Sequence, residues 1–516
     1  MPRAAWAAGA GAALAWGRPA GAGTPDVAAG AGTGAQSGGQ AETLIEAVRA
    51  DDASAASALL EHHADVNARM PDGTTALHWA AHDGDLNLVR RLIAAGAKVR
   101  VVNDYGSTPM AEAAQYGDVR IIRALLDAGA DVESPNAEGQ TALMTVARSN
   151  HVDVAQLLIA RGANVNARES WRGQTALMWA AAMSEPEMVR LLLHHGADPN
   201  TRSSIRNWAR RVTAEPRPQN RPVGGLTALL FAAREGCAPC AEALVRGGAK
   251  IDFADPDGIS PLLMATLNAR WDVAASLIKA GANPNQWDWW GRAPLYSTVD
   301  YNTVPRGGRP DRPSSDETTP VQVIAMLLKE GANPNMQLKL FPPYRSLGQD
   351  RGGDSMLTIG TTPLIRAAKA GDVDSIRLLL KYGALPDLPN SLGITPFMAT
   401  AGVGSTTVDT RARFRNEQQC IEAAKLILAA GANINAARDN GQTAAHGAAL
   451  WGWNDFIRFL ASHGANLQMV DADGSTPLDV ALGKAGVTGR VGIARPDPHP
   501  ATAALLRQLI AANQSG

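Results

Sequence analysis

One seven-residue phrase opens eleven times along this 516-residue chain. Thr75, Thr108, Thr141, Thr175, Thr227, Ser260, Ala293, Thr362, Thr395, Thr443 and Thr476 begin TALHWAA, TPMAEAA, TALMTVA, TALMWAA, TALLFAA, SPLLMAT, APLYSTV, TPLIRAA, TPFMATA, TAAHGAA and TPLDVAL. In eight of the eleven a Gly follows 21 positions later, and the next phrase usually starts 12 beyond it, so the period is 33. A recurrence of this length displaces the three or four independent domains that chain length alone suggests. Each period is one small unit that cannot hide its apolar face by itself and must stack on its neighbours.

The period has a physical logic. A Thr or Ser hydroxyl suits a helix N-cap, where it accepts a bond from an orphan backbone N–H. Pro109, Pro261, Pro294, Pro363, Pro396 and Pro477 then fall at the first helical position, where a missing N–H costs nothing. Small pairs such as Ala80 and Ala81 allow close helix approach. After a break at Gly84, Gly117, Gly236 or Gly371 a second apolar run begins, with Leu86, Val89, Leu92 and Ile93 at helical spacing. Gly96, Gly129 and their equivalents end it in a position that suits a left-handed cap. Stretches such as ADVNARMPDG that follow are turn chemistry.

These phrases and this spacing resemble the ankyrin repeat family, and the resemblance runs from about residue 41 to 516. It implies an all-α solenoid of about twelve helix-turn-helix units joined by hairpin fingers, with atypical terminal units. It also implies that His78 and His446 bond backbone between adjacent units, and that fingers line one edge while the helix-pair turns line the other. Finger positions, the residue before the Thr and the two residues after the Ala pair are the family's variable, exposed recognition positions.

Five interruptions break the period. Insertions near 201–223 and 338–357 lengthen two fingers by 19 residues each; those near 300–317, 402–417 and 485–499 separate paired helices. The two long fingers bracket the unit that carries NQWDWWGRA, where Trp287, Trp289 and Trp290 replace Arg69, Pro71 and Asp72 of a regular unit. By the family pattern these tryptophans, with Arg292, Asp300 and Tyr301, form a recognition surface. The other reading is that the rings stack across neighbouring fingers or pack beneath the adjacent insertion. The first long finger holds six arginines against one glutamate, with Arg206, Arg210 and Arg211 around Trp208, which suits an acidic partner or a solvated loop. The second offers Phe341 and Tyr344 beside Lys339 and Arg345. Trp79 and Trp179 read as packing residues; Trp451 extends the variable face.

Composition removes other classes. A formal net charge of -1 gives no global field for nucleic acid. Three cysteines cannot fill a four-thiolate site, and no metal, catalytic or cofactor residue set is expected. Cys237 and Cys240 in GCAPC read as ordinary positions at the start of a second helix, or as an incidental local disulfide. No G-x-S-x-G, H-E-x-x-H or phosphate-loop phrase occurs, and no gap is long enough for a catalytic domain. A site improvised from Asp311, Asp316, Asp350 and Asp354 is the residual enzymatic reading. Residues 1–40 combine Arg3, an apolar run from Ala4 to Trp16 and an Ala/Gly-rich linker, which reads as an export signal and otherwise as a plain tail. The expectation is therefore a monomeric, exported, non-enzymatic scaffold for a protein or peptide partner, without nucleic acid or a membrane span. Small-molecule or glycan binding in an aromatic groove between the long fingers is the alternative.

Overall fold

The computed structural model describes residues 44–208, 211–212, 218–303, 316–340, 358–404, 416–484 and 497–514. Residues 1–43, with the stretch read as an export signal, most inserted residues, and the candidates Arg210, Phe341 and Tyr344 lie outside them.

Every phrase becomes a helix. Thr108 Oγ1 accepts from the N–H of Ala111 at 3.0 Å, and Thr141, Thr175, Thr227, Ser260, Thr362 and Thr395 repeat that bond. In the Thr75 and Thr443 units the third helical residue is His, and its Nδ1 answers the cap. Thr75 N–H donates to His78 Nδ1 at 3.2 Å, while His78 Nε2 bonds Ser107 O in the next unit at 3.2 Å. His446 does the same with Thr443 and with Ser475 O at 3.1 Å. Both histidines thus tie unit to unit, and burial holds both pKa values below the ordinary imidazole value.

Helices pair throughout: Ala76–His82 with Leu86–Ala94, Pro294–Asn302 with Pro320–Lys329, Pro396–Thr400 with Glu417–Ala429, and Pro477–Ala481 with Pro500–Gln514 are examples. A terminal pair, 44–49 and Ala53–Glu61, precedes them. First helices pack on first helices and second on second, so one core runs the length of the array. It is built of small residues such as Ala80, Ala81, Ala180 and Ala181 from the first helices and of Val89, Leu92, Ile121 and Leu125 from the second.

Two ladders lock neighbouring units. At the fingers, backbone N–H groups reach the preceding finger: Asp104 to Asp72 O, Ser170 to Glu138 O, Trp289 to Asp257 O and Ser391 to Ile359 O, at 2.8 to 2.9 Å. At the finger bases an Asn side chain grips the next unit with both its atoms. Asn200 Nδ2 donates to Gly248 O at 3.0 Å while its Oδ1 accepts from Lys250 N–H at 2.8 Å. Asn285 holds Gly331 and Asn333, and Asn335 holds Gly383 and Leu385, in the same way. All three grips cross an insertion, so the inserted chain leaves the stack unbroken. The first long finger continues as an antiparallel hairpin, pairing Ile205 with Gly224 and Arg206 with Val223, then Arg211 with Asn220.

Candidate partner-binding face

Among the described residues, seven fingers are each closed by one side chain. Asn103 Oδ1 accepts from the N–H groups of Tyr105 and Ser107, and Asn136, Asp255, Asp288, Asn390 and Asp471 repeat the geometry two and four residues on. The Asn166–Thr175 finger is one residue longer, and there the longer Glu169 serves, accepting from Trp171, Arg172 and Gln174.

This closure divides the tryptophan cluster. The finger tip is a turn, closed by the Gly291 N–H to Asp288 O at 2.8 Å and the Asp288 N–H to Arg292 O at 3.1 Å. Trp287 and Trp289 fall on its outer side and are 45 % and 39 % exposed. Asp288, Trp290 and Arg292 turn inward, with Trp290 only 1 % exposed. Arg292 Nε donates to Asp288 Oδ2 at 2.7 Å, and its guanidinium lies 5.0 Å from the Trp290 ring centre. Arg221 of the preceding long finger lies 5.7 Å from the same ring and bonds Asp257 at 2.9 Å. From the other side Lys339 and Leu340 donate N–H bonds to Trp290 O at 2.9 and 3.2 Å. Trp290 and Arg292 are therefore not surface anchors: the bases of both long fingers close over them.

Tyr301 also departs from the expected patch. It is half-buried near the far end of the helix Pro294–Asn302, its ring edge-on to Trp271 at 5.3 Å. That helix of nine residues sets Tyr301 roughly 10 Å from the finger, at 1.5 Å rise per residue. Asp300 bonds the buried Arg366.

On the outer face Lys339 Nζ sits 3.1 Å over the Trp287 ring, and Arg172 lies 4.1 Å over Trp171. Trp208 and Arg206 are exposed on the first long finger; Arg211 lies on its second strand. Among the described residues the tryptophans more than a third exposed are Trp171, Trp208, Trp287 and Trp289, and all four lie on fingers. Trp171 was not singled out in the sequence, although the extra residue in its finger marks the place. Trp79 and Trp179 are half-buried under Arg49 and Arg148, and Trp451 donates from Nε1 to Gly402 O and stacks on Trp453.

Of the four aspartates raised as an improvised site, Asp316 accepts the Trp271 N–H at 2.9 Å and so caps a helix; the other three lie outside the described residues. Among the described residues, one hollow is lined by Thr74, His78, Trp79, His82, Asn103 and Glu112, and another by residues around Val48 and Asp85. No group of acidic, His or Cys side chains among the described residues could hold a metal ion. No described helix is long and apolar enough to cross a membrane.

A family model described as ankyrin repeats in three copies matches residues 44–136, 129–203 and 413–493. A single ankyrin repeat model matches 224–256 and 359–391. The E3 ubiquitin-protein ligase KEG of Arabidopsis thaliana is 25 % identical over 279 residues, covering 50 % of this chain and 16 % of that protein. The human ankyrin repeat and SOCS box protein 16 is 28 % identical over 254 residues, covering 49 % and 47 %. Human cyclin-dependent kinase inhibitor 2A is 36 % identical over 119 residues, covering 23 % and 66 %. The aligned segments thus span less than half the length of the first two relatives. Among solved structures, the human ASB11 ankyrin repeat domain matches 47 % of this chain and 98 % of its own, with 22 % identity and a TM-score of 0.39. With the matched residues together exceeding half the sequence and the repeat geometry continuing between them, the chain belongs to the ankyrin repeat family.

Proposed function

We propose that this chain is a non-enzymatic scaffold that binds an acidic protein or peptide segment along its finger edge, from Trp171 through Trp208 to Trp287 and Trp289. Ankyrin repeats are generally protein-interaction modules, and the observation that carries the finer reading is the confinement of the exposed tryptophans to the fingers. Trp and Arg dominate binding energetics because they combine large apolar area with a polar handle. Here rings and cations come together, as Trp287 with Lys339 and Trp171 with Arg172, and Arg206 stands on the finger between. A carboxylate beside an apolar side chain complements such a pair. The stack fixes the finger spacing beforehand, so binding orders little of the receptor.

The test is capture from native extract with wild type, with a Trp208→Ala/Trp287→Ala/Trp289→Ala variant, and with a Tyr116→Ala/Met183→Ala control that removes exposed apolar residues elsewhere. Each anchor is worth about 30-fold in affinity, from about 2 kcal/mol, so the triple finger variant recovers no partner while the control keeps it. Equal recovery by all three refutes the proposal. Recovery sensitive to the fingers but insensitive to salt leaves the face and removes the acidic partner.

A further inference from the structure

The second helix of a unit is capped by an anion in several repeats. Asp85 accepts the N–H of Leu88 at 3.0 Å, Asp118 that of Arg120 at 2.8 Å, and Asp372 that of Ser375 at 3.2 Å. In the Thr227 unit the same place is taken by Cys237, whose Sγ accepts the Cys240 N–H at 3.2 Å. Cys237 and Cys240 are disulfide-bonded, with Ala238 and Pro239 between them. Both are buried, Cys240 wholly and Cys237 with 6 % of its surface exposed, next to half-exposed Glu235 and Gly236 and exposed Pro239.

The neighbourhood favours negative charge on Cys237. The helix Ala238–Arg246 turns its Cys240 N–H onto the sulfur, and a helix N-terminus stabilises a thiolate. Arg270 of the next unit folds back over Gly236: a Cβ placed there would lie 2.7 Å from its Cδ and 3.1 Å from its Nε. Its Nε also donates to Arg234 O at 3.2 Å, which holds the guanidinium at this turn. The other charges at this level are spoken for or set apart. Arg234 pairs with Glu235, Asp272 accepts from Glu317 and Thr318 on the far side, and Glu185 heads the second helix of the preceding unit.

We propose that Cys237–Cys240 is a thiol–disulfide exchange couple that accepts two electrons from a dithiol. A thiolate of the dithiol attacks Cys237 Sγ and the bond between the two cysteine sulfurs breaks. Cys240 departs as a thiolate and takes up the proton the dithiol gave up. The second thiol of the dithiol, deprotonated, attacks its own sulfur in the mixed disulfide and releases Cys237 as a thiolate. The dithiol is oxidised to a disulfide and the pair gains two electrons; of the two protons the dithiol gives up, one ends on Cys240 and the other passes to solvent. The reduced state leaves an anion where Asp85, Asp118 and Asp372 hold one, so opening the disulfide keeps the helix capped.

The experiment treats the folded Cys420→Ala protein with dithiothreitol, since Cys420 is the remaining, buried thiol. Alkylation with iodoacetamide across pH is then read by peptide mass, which resolves the two cysteines without further substitution. Reduction proceeds without denaturant and with the helical circular dichroism unchanged. The Cys237 alkylation midpoint falls below the ordinary free-cysteine value of about 8.5, and Arg270→Gln moves it back up. Cys237→Asp/Cys240→Ala keeps the wild-type melting temperature and takes up no label. Reduction only after unfolding, or a Cys237 midpoint at or above about 8.5, overturns the proposal.

Discussion

Trp290→Ala separates the buried tryptophan from its two exposed neighbours. A Trp side chain presents about 150–250 Å², and nearly all of it is out of water at position 290. At about 25 cal/mol per Å² the transfer loss is about 4–6 kcal/mol, and core truncations of Trp and Phe cost about 3–5 kcal/mol in practice. The guanidinium groups of Arg221 and Arg292 lie 5.7 and 5.0 Å from the ring centre, so its removal loosens both. The expected cost is about 4 kcal/mol, felt first at the junction of the Ala293 unit with its neighbours because each unit touches only adjacent ones. Trp287→Ala and Trp289→Ala each cost about 1 kcal/mol or less, as surface substitutions do. Urea unfolding followed by circular dichroism gives the stability. Hydrogen exchange at the Trp289, Lys339 and Leu340 amides, which bond Asp257 O and Trp290 O, gives its location. Equal midpoints for Trp290→Ala and Trp287→Ala, or exchange rates unchanged at those amides, refute the reasoning.

Arg292→Ala leaves the Asp288 carboxylate buried without its ion partner and costs about 3–5 kcal/mol; adding Asp288→Asn recovers most of it in urea unfolding, because Asn103, Asn136 and Asn390 close their fingers as neutral amides. Burial pushes the Asp255 carboxyl up to about 6. Its folded value is raised, so its contribution is fully present below the unfolded value near 3.8 and is lost as pH rises through about 6. Asp255→Asn is therefore more stable than wild type at pH 7, by about 3 kcal/mol, and level with it at pH 3.5, read in melting temperatures at the two pH values. His78 and His446 run the other way: their lowered folded values mean that stability is complete above the unfolded value of 6.5 and falls as pH drops below it. His446→Gln flattens that acid limb in a pH series of melting temperatures. Asn285→Asp keeps the acceptor for Asn333 N–H but loses the donor to Gly331 O, a cost of about 1 kcal/mol, seen as faster exchange in the units after residue 331.

Much of the fold was legible because the repeat is a local code. Thr, Pro, the Ala pair and Gly each act within one helix or one turn, and Thr108, Thr362 and Thr395 cap the helices their phrases announce. The inter-unit bonds of His78 and His446 followed from the repeat phrase as well. The disulfide stood in the sequence only as one option, since spacing shows that Cys237 and Cys240 are close and not which chemistry they adopt. The doubled Asn grip at the finger bases was passed over as turn chemistry. Its two partners lie in the next unit, 29 to 32 residues away for Asn67, Asn166 and Asn435 and 46 to 50 away across the insertions, and only the stack brings them together.

The tryptophan cluster shows where a local code ends. The repeat pattern puts Trp287, Trp289, Trp290 and Arg292 together on one finger, but it does not say that Asp288, Trp290 and Arg292 turn to a dry side. At the position of Trp290 two other fingers carry Tyr105 and Leu392, and both are exposed. What differs is the company: Arg221 reaches in from the long finger before, and Lys339 and Leu340 bond in from the long finger after. Gly291 shows how close that approach is, since a Cβ on it would lie 2.6 Å from the Lys339 nitrogen, and its φ of +81° already excludes most side chains. The same two fingers that bury Trp290 carry Lys339 onto the outer ring of Trp287 and Trp208 onto the neighbouring edge. Burying one tryptophan and presenting the others are thus one structural act, which is why stability measured at Trp290 and binding measured at Trp287 and Trp289 must respond to different substitutions.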